Sequence, residues 1–210
     1  MTPQSRIASL AVMCVAVILG LGAALLWRHA SPPVHLATGS VLSPRRSLPN
    51  FSLIDQQGHA FGPEDLRGRW SFLFFGYTNC PDFCPTTLAT LAAMEKQLRA
   101  SGAALRPRVI FVSVDTKRDT PAQLAKYVPY FDPEFVGVTA ADQPTIADFA
   151  QQFGVAVLLS TPKADGSYTV DHTAGIFVVD PAGKLSAILT GPFTPGALQS
   201  DFQHIVALGG

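Results

Sequence analysis

The chain has 210 residues, 48% of them hydrophobic, and its 15 Lys and Arg balance its 15 Asp and Glu, so the formal net charge is zero. Without a basic stripe, nucleic-acid binding has no electrostatic support. The 17 Pro and 17 Gly are dispersed rather than gathered into a low-complexity block, and no repeat of about 20–50 residues is visible.

From the N-terminus, Ile7 to Trp27 contains no charged residue. At 1.5 Å rise this run extends about 30 Å, one hydrocarbon core. Arg6 precedes it, and Arg28 and His29 close it. The alternative is a cleaved signal peptide, with Gly22-Ala23-Ala24 as the small-residue site, but the apolar run is longer than a signal h-region. The expectation is one N-terminal transmembrane helix that anchors the chain in an inner membrane, with the C-terminal domain on the periplasmic, non-cytoplasmic side. Cys14 lies mid-span and reads as an apolar residue. Residues 29–48, with Pro32, Pro33 and Pro44, read as a Pro-rich tether. The expected organisation is therefore an anchor over 1–28, a tether over 29–48 and a single domain over 49–210, large enough to bury a full core.

Within that domain, Phe51–Asp55 and His59–Phe61 flank Gln56-Gln57-Gly58 as a hairpin. Trp70 to Tyr77 is almost continuously apolar, as expected of a strand buried on both faces. Pro85 suits a first helical position, and Leu88, Leu91, Ala92 and Leu98 recur with helical spacing to about Ala100. Arg108–Val114 reads as a second central strand. Thr120 and Pro121 open a helix through about Val128. Phe135–Val138 is a short strand, Thr145–Phe153 a helix, and Val155–Leu159 a short extended piece before a turn at Asp165-Gly166. Ala174–Val179 and Lys184–Leu189 pair across Asp180–Gly183, and Pro195–Leu208 closes the chain as a helix. Strands alternating with helices, then a hairpin and a helix, are the order of an α/β thioredoxin-like sandwich.

The chemistry gathers at Cys80 and Cys84, between the first central strand and its helix. At i, i+4 the two thiols share a helix face if the first turn reaches back over both. Thiolates at a helix amino end are stabilised, so both pKa values are expected to fall. Such a pair serves a structural disulfide, a thiol–disulfide redox couple or a soft metal. His172, in the loop before Ala174–Val179, approaches the start of that helix in this topology. Two thiolates and one imidazole suit Cu(I), and also Cu(II) or Zn; a closed structural zinc site has four ligands. Asp119 is expected to cap the helix at Thr120-Pro121, and Asp115 to serve either loop hydrogen bonding or the metal's surroundings. Tyr77, Asp82 and Phe83 are expected to shape the rim. His29, His35, His59 and His204 receive no metal role.

The segment Gly76-Tyr77-Thr78-Asn79-Cys80-Pro81-Asp82-Phe83-Cys84-Pro85 resembles the signature of the Sco/SenC family of copper proteins. Val114 to Pro121 is similar to the family's Val-Asp-Pro-x-Arg-Asp-Thr-Pro loop, with Thr116 in place of the usual Pro. Tyr127-Val128, Val136–Thr139, Asp171-His172-Thr173 and Asp180-Pro181-x-Gly183 follow in order, so the resemblance covers roughly Pro49 to Phe202. It implies a membrane-anchored copper chaperone that is not an enzyme in the strict sense. Its copper ligands would be Cys80, Cys84 and His172, and Cys80 and Cys84 would double as a redox disulfide. The implied acceptor is the copper-bearing subunit of cytochrome c oxidase, supplied in turn by a copper donor protein. The competing readings are a thiol–disulfide reductase that keeps the acceptor's cysteines reduced, and a copper or redox sensor.

Overall fold

In the computed structural model, residues 36–209 and Met13 are described. The expected span Ile7–Trp27, Cys14, and the proposed cleavage site lie outside them. Among the described residues, no helix is long and apolar enough to cross a membrane.

The sheet is built around β4 (Ser71–Gly76), buried at every position. It runs parallel to β5 (Arg108–Ser113) and antiparallel to β9 (Ile176–Val179). A strand with neighbours on both edges and helices on both faces has no polar side to present, which is why Ser-Phe-Leu-Phe-Phe-Gly shows no alternation. Side chains still alternate between faces. Phe72 meets Phe202, and Phe74 meets Phe111 and Phe83, on one face. Phe75 meets Phe149, Phe153 and Phe177 on the other.

The remaining elements complete an eight-stranded sheet in the order β1-β10-β9-β4-β5-β6-β2-β3. These are β1 (Gly39–Ser47), β2 (Leu53–Asp55), β3 (Ala60–Phe61), β6 (Val136–Thr139) and β10 (Lys184–Leu189). The helices are α1 (Phe83–Ala100), α2 (Pro121–Phe131), α3 (Gln143–Gln152) and α4 (Pro195–Ala207). A separate two-stranded ribbon joins β7 (Val157–Leu159) to β8 (Val170–His172), with Val157 opposite His172.

Three expectations change. Residues 39–47, placed in the tether, form the edge strand β1, antiparallel to β10, with the register broken between Val41 and Arg46. Pro44 falls within that break, where a missing N–H removes no ladder bond. The buried Asp201 carboxylate accepts the backbone N–H groups of Ala37 and Thr38, each at 2.8 Å, and fastens the start of this strand to α4. Helix α1 begins at Phe83, so Pro85 is its third residue rather than its first, and the helix reaches back over Cys84 but not Cys80. Helix α2 continues through Pro129 to Phe131, past the expected end at Val128. Thr120 caps it as expected, its side chain accepting from the Gln123 N–H.

Candidate metal centre

The site lies at the carboxyl ends of β4 and β5, where ligands collect in open α/β sheets. The chain leaves β4 at Gly76 and turns at Cys80, whose N–H donates to the Tyr77 carbonyl at 3.2 Å. It then enters α1. Cys80 stands ahead of the helix and is partly exposed, whereas Cys84 is fully buried in the first turn; both are free thiols. The Cys84 N–H donates to Cys80 Sγ at 3.3 Å. Cys80 sulfur thus accepts one of the N–H groups that a helix start leaves without an intrahelical partner. Asp82, at the N-cap position, makes no side-chain cap bond.

The expected lowering of both thiol pKa values fails for Cys84. Its thiol is pushed far up, first by burial and then by the hydrogen bond with Cys80. A charge placed against Phe111 and the back of β4 loses more hydration than one helix end returns.

His172 lies at the end of β8 rather than in a loop. Its Nε2 is 3.9 Å from Cys84 Sγ, and its Nδ1 is 3.3 Å from the Thr173 carbonyl. A carbonyl only accepts, so Nδ1 carries the proton and Nε2 offers its lone pair toward the thiol. Burial depresses the imidazole pKa against the opposing pull of the Thr173 carbonyl, which favours the neutral ring. The Tyr77 ring meets it edge-on, with centroids 6.3 Å apart.

Among the described residues, no three Cys, His, Asp or Glu side chains are gathered tightly enough to hold a metal as they stand. The nearest pair is nevertheless close to working distance. A metal bonded to sulfur at about 2.3 Å and to nitrogen at about 2.0 Å separates the two by about 3.5–3.7 Å at tetrahedral or trigonal angles, so a closure of a few tenths of an ångström suffices. Cys84 Sγ and His172 Nε2 are at 3.9 Å. Cys80, the partly exposed member, is the third donor of the expected set.

Asp119 does not cap α2. It is fully buried and accepts from Thr78 N–H at 2.8 Å, Thr78 Oγ1 at 2.6 Å and Ser113 Oγ at 2.6 Å. It therefore ties the cysteine loop to β5, and burial raises its pKa against those three bonds. Asp115 resolves to loop hydrogen bonding: it accepts from Arg118 Nε and, at 2.7 Å, from the Tyr168 hydroxyl. Burial, then that bond to Asp115, pushes the Tyr168 phenol up to about 12. Thr116, where the resemblance leads one to expect Pro, places its hydroxyl 3.1 Å from Gln143 Oε1. Of the rim residues, Tyr77 is buried, Asp82 is exposed and Phe83 is 41% exposed. His59 and His204 lie on β2–β3 and α4, away from this edge; His29 and His35 lie outside the described residues.

The sequence reading missed Thr78, Ser113, Arg118 and Tyr168. Thr78 and Arg118 sit inside the two recognised segments, so a signal was present without a role attached. Tyr168 had none, because its partner Asp115 is 53 positions away in sequence.

The SCO1/SenC family model matches residues 41–207. A SCO2-like protein of Rickettsia conorii is 31% identical over 82% of this chain and 85% of its own length. The structure of Bradyrhizobium japonicum ScoI with copper bound is 34% identical, covering 76% of this chain and 99% of that one with a TM-score of 0.66. BsSco, a member of the Sco family of cytochrome c oxidase assembly proteins with a disulfide switch, is 26% identical, covers 78% of this chain and 95% of its own, and gives a TM-score of 0.62.

Proposed function

This chain belongs to the SCO1/SenC family, and from that premise we propose that it binds copper through Cys80, Cys84 and His172 and delivers it during assembly of cytochrome c oxidase. The observation that carries the reading is the 3.9 Å approach of a buried thiol and an oriented neutral imidazole. Soft sulfur and imidazole donors select copper over the hard cations. Three ligands leave one side open, and Cys80 lies on the exposed side. An acceptor thiolate enters there and Cys80 leaves first, so the metal passes by ligand exchange without ever being free. Copper is cargo in this scheme rather than a resident catalyst. Loading the chain with Cu(II) is expected to give a strong sulfur-to-copper charge-transfer band. Full stoichiometric binding after Cys80→Ser with Cys84→Ser would place the site elsewhere.

The same thiols support a second reading, a thiol–disulfide reductase for the acceptor's cysteines, favoured by the direct Cys80–Cys84 contact. A copper or redox sensor would use the same groups. His172→Ala separates delivery from reduction. Disulfide exchange needs no third ligand, so the variant is expected to lose oxidase assembly under limiting copper while its thiols still cycle. Normal oxidase in such a strain would favour the reductase.

The charge-free run Ile7–Trp27 supports an uncleaved anchor in the inner membrane, with the copper domain on the periplasmic side. The tether is then shorter than residues 29–48, since β1 starts at Gly39. Alkaline extraction and protease protection test the arrangement. A soluble mature chain starting near Leu25 would mark a cleaved signal.

A further inference from the structure

His172 and the cysteines ride on different sheets. The cysteine loop leaves β4 of the main sheet, whereas His172 ends β8 of the separate ribbon. No strand pairing joins the two segments directly, so side chains set what remains of the gap after the short link from His172 to β9, where Ile176 pairs with Phe74 of β4. We propose that Arg118 is a positioning residue that fastens the His172 ribbon to the cysteine loop and thereby sets the copper site; the inference rests on the copper-binding reading above.

Arg118 touches both sides of the gap. Its guanidinium carbon lies 3.6 Å from the centroid of the Tyr168 ring and 5.6 Å from that of Tyr77. Tyr168 is on the approach to β8, four positions before His172, and Tyr77 is three positions before Cys80. Nη1 donates to the Tyr168 carbonyl at 2.9 Å, and Nε donates to the Asp115 carboxylate. The Tyr168 hydroxyl donates to the same carboxylate at 2.7 Å. The loop after β5 thus grips the ribbon twice, once at its main chain and once at its side chain. On the far side of the stack, Tyr77 bears edge-on against the His172 ring. The order Tyr168, Arg118, Tyr77, His172 is a continuous contact path that leaves the ribbon at Tyr168, reaches the cysteine loop at Tyr77 and returns to the ribbon at His172.

The residue type fits the task. A planar guanidinium stacks on an aromatic face while its fork donates in two directions, which an ammonium cannot do. Asp115 is fully buried, so its carboxylate is fixed and makes a rigid seat for both Arg118 and Tyr168. Without Arg118 the ribbon keeps its own hairpin and the more distant Lys117 contact to the Tyr168 ring, at 5.9 Å, but loses its stacked guanidinium and the hydrogen bond to its main chain. Arg118 acts through His172 and leaves the thiols alone.

The test is a double-mutant cycle on the full chain in detergent: wild type, Arg118→Ala, Arg118→Lys, His172→Ala, and Arg118→Ala with His172→Ala. Cu(I) affinity is read by competition with a chromogenic chelator, and the Cu(II) spectrum is recorded for each. Arg118→Ala is expected to weaken Cu(I) binding about 10- to 100-fold, the range for groups that orient a metal ligand. Arg118→Lys falls with it. In the His172→Ala background, removing Arg118 changes affinity by less than about twofold, because two residues acting through one contact are not additive. The thiolate-to-copper band persists in every variant. If Arg118→Ala does not fold, Tyr168→Phe, which loses only the hydroxyl bond to Asp115, is read in the same cycle and shows a smaller loss that also vanishes without His172. Equal losses with and without His172, or full rescue by Lys, overturn the proposal. Unchanged Arg118→Ala affinity beside normal wild-type binding overturns this inference alone, whereas a wild type that binds no copper overturns the copper reading and this one together.

Discussion

Gly76→Ala is expected to damage fold and site together. Gly76 is the last residue of β4, packed under the first turn of α1. A methyl group there would sit 2.7 Å from Phe111 Cε2 and 2.9 Å from Cys84 Sγ. Ordinary contacts need about 3.5 Å, so Phe111 must yield by about 0.8 Å and Cys84 by about 0.6 Å. Neither has room, because Phe111 and Cys84 are both fully buried. Overpacking of this kind costs about 1–3 kcal/mol. Removing glycine's freedom from the unfolded chain returns about 0.4–1 kcal/mol, which leaves a net loss of about 1–2 kcal/mol. With a urea m-value of about 2 kcal/mol/M, the unfolding midpoint falls by about 0.5–1 M. Part of the displacement falls on Sγ, and a constellation moved by about 0.5 Å is already outside productive geometry. Copper affinity is therefore expected to drop at least about tenfold in protein that is still folded. Equilibrium urea titration and chelator competition on the same preparation measure both effects. A midpoint within about 0.2 M of wild type, with undiminished affinity, would refute the packing argument.

The other predictions concern protons and access. Asp119→Ala strands three donors, each worth about 1–3 kcal/mol if left buried and unmet, and is expected to unfold the loop. Asp119→Asn can accept from Thr78 N–H and Ser113 while donating to Thr78 Oγ1, so it stays near wild type at pH 7. Because the folded pKa of Asp119 lies above its unfolded value, its contribution is complete below the unfolded carboxylate range. It is lost as pH rises through the folded pKa, so wild type should lose stability relative to Asp119→Asn over that window. A flat difference between their urea midpoints across the window would contradict the burial argument. For His172 the folded pKa is depressed, so its contribution is present above the unfolded value and lost as pH falls through the folded one. Stability of wild type relative to His172→Gln is thus expected to drop on the acid side of about 6.5. Iodoacetamide is expected to label Cys80 well before Cys84, since Cys84 is buried and its thiol is held protonated; peptide mass spectrometry showing equal rates would count against this geometry.

The local pattern of the chain already determined most of its architecture. A nearly continuous apolar run from Trp70 to Tyr77 belongs in a strand covered on both faces, and β4 is one. Thr120-Pro121 combines a side-chain acceptor with a residue lacking an N–H, and α2 starts there. The five-residue cysteine motif and the distant His172 were visible as a donor set, because thiols and imidazole are chemically distinct wherever they stand. Strand β1 was not legible, because its Pro, Ser and Gly read as linker until β10 supplies the hydrogen bonds and Asp201 the fastening. The Cys84 pKa went the other way for the same kind of reason. A helix end is a local feature that sequence can locate, whereas the burial that outweighs it comes from Phe111 and β4. Asp119 next to Thr120-Pro121 looked like a cap, yet its partners are Thr78, 41 positions away, and Ser113 on the neighbouring strand. Sequence fixes which groups a chain owns and which short-range bonds they can make. Which buried group meets which, and at what cost in hydration, is settled only when remote segments close around them.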